Sequence, residues 1–107
     1  IITTGNLPTL FSLIEYFSKS LKETLYKISL ENFLNSEDVK AVAIEYKKNK
    51  DFKNIFDKDK KRIIKNMEKC CKDEINRAVD EYHIQAIAED LYIIEYIFPS
   101  FNSLKYL

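Results

Sequence analysis

The chain has little that breaks or staples a backbone. Its 107 residues include one glycine, two prolines, one histidine, two cysteines and no tryptophan. With glycine only at Gly5, no phosphate-cradling glycine loop can form, and one glycine with two prolines argues against a loop-rich β fold. Cys70 and Cys71 are neighbours, and a bridge between them would close a small ring far from relaxed disulfide geometry. A reduced, intracellular and cytoplasmic setting is the expectation. Adjacent thiols and a lone imidazole also fall short of a zinc ligand set, so neither a metal nor another cofactor is expected. No apolar run approaches the ~20 residues of a membrane-spanning helix, and no basic-then-apolar signal segment opens the chain.

What is present is apolar and balanced in charge. Hydrophobic residues make up 46% of the chain and aromatics 13%, enough for one globular core but, at this length, not for two. Lys+Arg and Asp+Glu both number 17, so no net field draws the whole surface to nucleic acid or an acidic membrane. The opening Ile-Ile-Thr-Thr-Gly lacks a methionine, which suggests a single domain over residues 1–107 excised from a longer protein.

Helical periodicity runs throughout, with no strand pattern and no repeat. After an extended lead-in, Pro8 suits a first turn behind Asn6, and Leu10, Leu13, Ile14 and Phe17 recur at three and four residues. Ser20 and Glu23 have capping-box spacing, followed by the stripes Leu21, Leu25, Ile28 and Tyr26, Leu30, Phe33, so a largely buried second helix is predicted. Asn35 or Ser36 can cap a third, with Val39, Val42, Ala43 and Tyr46 inward and Lys40, Glu45 and Lys47 in water. Beyond it Phe52 and Phe56 would pin a loop to the core, and Asp57 would cap a fourth helix that turns Ile63, Ile64, Met67, Cys70 and Cys71 inward.

Residues 84–101 are apolar nearly all round: Leu91, Ile94 and Phe98 share one side, and Ile93, Tyr96 and Ile97 the other. Such a helix is normally enclosed by neighbours, so a central core helix is predicted, broken from its predecessor near His83 and stopped by Pro99. A short last helix would start at Ser100. Six or seven short helices are expected in all.

Catalytic candidates are few. Arg77 and His83 have the loose spacing of the helical HEPN ribonucleases, yet six residues turn a helix through about 600° and leave the two side chains about 120° apart; a half-buried histidine is the plainer alternative. Glu81, Glu89 and Asp90 are expected on outer faces. No nucleophile, base and orienting group come together, so an enzyme is not expected. The lysine-rich middle, Lys47 to Lys65 interleaved with Phe52 and Phe56, could serve an adaptor for anionic lipid or nucleic acid, though Asp51, Asp57 and Asp59 dilute its charge.

The order of motifs resembles the regulator-of-G-protein-signalling (RGS) homology domain. Phe98-Pro99-Ser100-Phe101 running to Ser103 and Tyr106 is similar to that family's terminal tyrosine-proline-arginine-phenylalanine-leucine segment with its serine and tyrosine. Ile55-Phe56-Asp57 leading into Arg62-Ile63-Ile64-Lys65-Asn66-Met67 resembles its isoleucine-asparagine-isoleucine-aspartate loop and the helix behind it. Residues 20–33 resemble its acidic, leucine and aromatic stretch, and residues 41–46 its alanine-to-isoleucine-tyrosine helix. An extra turn or two between Met67 and Phe98 leaves the family's alanine-glutamine motif at either Ala78 or Ala86.

The resemblance implies an all-α fold, an RGS-like bundle in two lobes. It also implies loops that, in active members, hold the switch regions of a Gα subunit in transition-state form and speed GTP hydrolysis without donating catalytic groups. Its contact positions correspond to Glu23, Thr24, Asn54, Ile55, Asp57, Tyr96 and Ser100. At several the polar group is gone: Ile55 stands for an asparagine with Asn54 one residue out of register, Thr24 for another asparagine, and Tyr96 and Ser100 for an aspartate and an arginine. Each missing buried partner costs roughly 1 to 3 kcal/mol, so weak or absent GTPase acceleration is expected. The module would then bind or scaffold a protein partner, a Gα subunit or another signalling or trafficking protein, with no specific nucleic acid.

Overall fold

The first amides of a helix have no partner within it, and among the described residues asparagine and aspartate answer for three of the six starts. The computed structural model describes residues 7–101, and among them lie α1 (Leu7–Ile14), α2 (Lys19–Ser29), α3 (Ser36–Lys48), α4 (Lys50–Asp57), α5 (Lys60–Arg77) and α6 (Glu81–Ile97), with no strand. Asn35 caps α3 by accepting from the Asp38 amide at 3.1 Å. Asp80 caps α6 by accepting from the His83 amide at 2.8 Å. Asn49 accepts from the amides of Asp51 and Phe52 at the start of α4, while its own amide bonds back to the Glu45 carbonyl and closes α3.

That corner turns the expected loop into a helix. Phe52 and Phe56 are buried as predicted, but from α4, whose i, i+4 spacing sets both rings on one face. Phe52 meets Phe11 of α1 and Tyr26 of α2 edge-on, with centroids 5.2 and 5.1 Å apart. Phe56 stacks on Phe98 at 5.3 Å, and Tyr46 packs against both. Phe11, Tyr26, Phe52, Phe56, Tyr46 and Phe98 thus form one line of rings through the core, from α1 to the corner after α6.

The central helix is α3, not α6. It lies against α1, α4, α5 and α6 and buries Val39, Ala41, Val42 and Ala43, whose small side chains let the neighbouring helices approach. α6 buries Ile87, Leu91 and Ile94 but leaves Ile84 50%, Tyr92 76% and Tyr96 72% exposed. One side of its apolar girdle faces water. The break before α6 falls at residues 78–80, slightly ahead of His83, and Phe98 leaves the helix with φ −118° and ψ 87°, away from the helical angles that a following proline disfavours. Phe101 turns back and is buried; the helix expected from Ser100 does not start there, since Pro99 and Ser100 form a turn, and its later residues, like the lead-in before Leu7, fall outside those described.

Other expectations are corrected by packing. α2 begins at Lys19 behind Ser18, so Ser20 and Glu23 form no capping box; Ser20 instead gives its carbonyl to the Thr24 hydroxyl at 3.1 Å. Tyr26 and Leu30 are buried but Leu21 and Ile28 stay more than 40% exposed, because among the described helices α2 packs against α1 and α4 alone. Asp57 ends α4 instead of starting α5. Glu45 and Asp90, expected in water, are buried. Ile63, Met67 and Cys71 point inward as expected, with Ile64 and Cys70 partly covered.

Candidate functional site

Two helices meet the same spacing rule across a shared cleft. Lys19, Lys22, Glu23 and Tyr26 of α2 and Asp51, Asn54 and Ile55 of α4, with Lys58 just beyond it, line a space of about 420 Å³. Each wall repeats at i, i+3, i+4 and i+7, the positions that share one helical face. A second cleft of about 220 Å³ continues from it, sharing Ile55 and Lys58 and reaching Leu30, Arg62 and Ile63. Buried Ile55 and Tyr26 are the apolar parts of the first cleft; lysines rim it. Among the described residues Lys19, Lys22 and Lys58 have no ion-pair partner, whereas Arg62 is held by Glu31 and Asp59.

The positions indicated by the family resemblance divide here. Glu23, Asn54 and Ile55 line the cleft together although they come from two helices. Thr24 turns its hydroxyl to the Ser20 carbonyl and is not part of the lining. Asp57 accepts from the Tyr46 hydroxyl at 3.0 Å and from Lys53 at 3.3 Å. Tyr96 lies under the Lys47 ammonium, 5.0 Å from its ring centroid, and Ser100 is exposed beyond the corner.

The lysine-rich middle does not form one surface. Lys47 covers Tyr96, Lys48 pairs with Glu45, and Lys53 and Lys60 flank the Tyr46 ring. Lys58 rims the cleft, and Lys61 and Lys65 stand on the exposed side of α5. Tyr46 joins this set through its hydroxyl, which accepts from Lys60 and donates to Asp57.

A polar chain crosses α3, α5 and α6 elsewhere. The His83 ring lies 3.3 Å from one Glu74 oxygen, and the other accepts from the Ser36 amide at 2.8 Å. The Ser36 hydroxyl donates to Asp90 at 2.7 Å, and Lys40 reaches the other Asp90 oxygen at 3.0 Å. The partner of His83 is therefore Glu74, while Arg77 ends α5 in an exposed position before the break. Ser36 is 2% exposed, so its hydroxyl serves the helix junction and is closed to a substrate.

The thiols are similarly withdrawn. Burial, with Glu74 nearby, pushes Cys70 up to about 12 from its ordinary value, and burial drives Cys71 up as well. Cys70 donates to the Phe33 carbonyl at 3.4 Å. Since the thiolate is the reactive form, neither is poised as a nucleophile at neutral pH. Among the described residues no group of three metal-ligating side chains gathers, and no helix is long and apolar enough to cross a membrane.

The lysine rim of the cleft is the feature that sequence reasoning missed. Its signal was present in the spacing of Lys19, Lys22 and Tyr26, but Leu21, Leu25 and Ile28 offered a more apolar stripe on the other side of α2. No family model, curated protein or solved structure matches the chain.

Proposed function

We propose that this chain is a divergent RGS-like helical domain working as a protein-interaction module, with little or no capacity to accelerate GTP hydrolysis. The observation that carries the reading is the meeting of Glu23, Asn54 and Ile55 on the two walls of one open cleft. A partner segment in that cleft meets lysine side chains at the rim and Ile55 and Tyr26 within. The all-helical fold is compatible with the resemblance, as is the proline corner at Phe98, whose ring closes over Phe56 beside the end of α4.

The loss of GTPase acceleration rests on chemistry. Acceleration of this kind needs polar side chains that hold a switch region in one geometry. Ile55 offers no amide, Thr24 spends its hydroxyl on Ser20, and Asp57 is engaged with Tyr46 and Lys53.

Single-turnover GTP hydrolysis by a Gα subunit, with and without the domain, tests this together with binding to Gα carrying GDP and aluminium fluoride. The expected result is no acceleration and no preference for the fluoride-bound state. State-selective binding that accelerates hydrolysis would overturn the claim of lost activity.

A further inference from the structure

We infer that the outer face of α5 is a docking row for the phosphate backbone of duplex nucleic acid, bound without regard to sequence. The row is Lys61, Lys65, Lys69 and Lys72, at i, i+4, i+8 and i+11. With about 100° and 1.5 Å per residue, those four positions fall within about 80° of one another and extend over ~16 Å of the helix. Lys61, Lys65 and Lys69 are exposed and, among the described residues, have no ion-pair partner. The opposite side of α5 is occupied by the core through Ile63, Met67 and Cys71.

Among the described residues no carboxylate is ion-paired with Lys61, Lys65 or Lys69, although Asp73 and Glu31 share a hollow with Lys69. Glu68 is buried, and Glu74 is occupied by Ser36 and His83; Asp73 lies on the flank toward Arg62. This concentration of charge stands out on a chain with no net charge. It is also separate from the α2–α4 cleft, which none of its four lysines lines.

Geometry selects the partner. A row one side chain wide complements a line of negative charge, and a duplex presents one charge per about 1.7 Å of its axis. A bilayer helix would carry apolar side chains beside its lysines to enter the headgroup region, and here those side chains are in the core. Single strands are gripped by aromatic rings on which bases stack, and the row contains none. Lysine ammoniums act as point charges without the arginine fork that reads guanine edges, so contact with phosphates alone is the result.

The test is fluorescence anisotropy of a short labelled duplex titrated with the domain across a salt series. Binding is expected at low salt, with log K falling against log salt at a slope of about −2.5 to −3 for contacts by Lys61, Lys65 and Lys69. The triple variant Lys61→Glu, Lys65→Glu, Lys69→Glu is expected to weaken binding by at least about tenfold. The same charge change at Lys19, Lys22 and Lys58 should alter it far less. A glutamine version of the row variant, checked by circular dichroism, separates lost contact from misfolding. The inference fails if duplex does not bind at low salt, if both triple variants weaken it equally, or if a single strand of the same length binds as tightly. Binding to mixed phosphatidylcholine and phosphatidylserine vesicles without binding to duplex would likewise overturn it.

Discussion

The hydroxyl of Ser36, in the first turn of α3, donates to the carboxylate of Asp90, midway along α6, over 2.7 Å. Residues 54 positions apart are thereby joined at the start of the central helix. Lys40 shares the same carboxylate and keeps the charge paired where water is scarce. Asp90→Ala should cost about 1–3 kcal/mol, Ser36→Ala about 1 kcal/mol, and the double variant less than the sum because one bond is removed twice. Urea unfolding of the four proteins measures this directly.

Asn49 should be the least replaceable polar residue outside that junction. Its carbonyl caps α4, while its amide nitrogen donates to the Tyr26 hydroxyl at 2.8 Å and to Glu45 at 3.0 Å. Asn49→Ala removes the cap and leaves buried Glu45 with one partner fewer. A loss of roughly 1–2 kcal/mol is expected, and Asn49→Asp, which retains the cap acceptor but sets a carboxylate against Glu45, should recover little of it. Thermal melts of the two variants decide the matter.

The cysteines make a prediction with a sign. Cys70 lies at about 12 in the folded chain against an ordinary 9.0, so below pH 9.0 both states hold the proton and its contribution to stability is complete. Above that the unfolded chain ionises first, and stability falls as pH rises toward about 12. Tyr26, raised by its burial, acts in the same sense. Cys70→Ala should flatten part of this fall in pH-dependent unfolding, and a thiol reagent at neutral pH should react quickly only after denaturant is added.

The two sides of α6 should differ sharply. Ile94 is fully buried while Tyr92 and Tyr96 are mostly exposed. Ile94→Ala should cost about 2–5 kcal/mol, and Tyr92→Ser should stay within about 0.5 kcal/mol. Comparable losses at both positions, in chemical denaturation, would mean that α6 is enclosed on both sides.

Most helix periods, a cap at Asn35 or Ser36, the inward residues of α5 and the stop at Pro99 were legible in the sequence, because each depends on side chains a few positions apart along one backbone. The walls of the cleft were legible only singly. Lys19 and Lys22 on one segment and Asn54 and Ile55 on another become a site when α2 lies beside α4, an outcome of competition among apolar stripes. In α2 the stripe with Tyr26 and Leu30 won, and Leu21 and Ile28 remained outside.

By itself the sequence determined an all-helical fold and the approximate course of its longer helices, though not α4, which it presented as a loop, since capping, proline geometry and periodicity are local. Only the tertiary structure decided that α3 occupies the middle and α6 an outer position. Apolar content shows what a helix is able to bury; how many neighbours reach it depends on the packing of the whole set. The small side chains of α3 admit four other helices, and α6, with its tyrosines, retains one side in water.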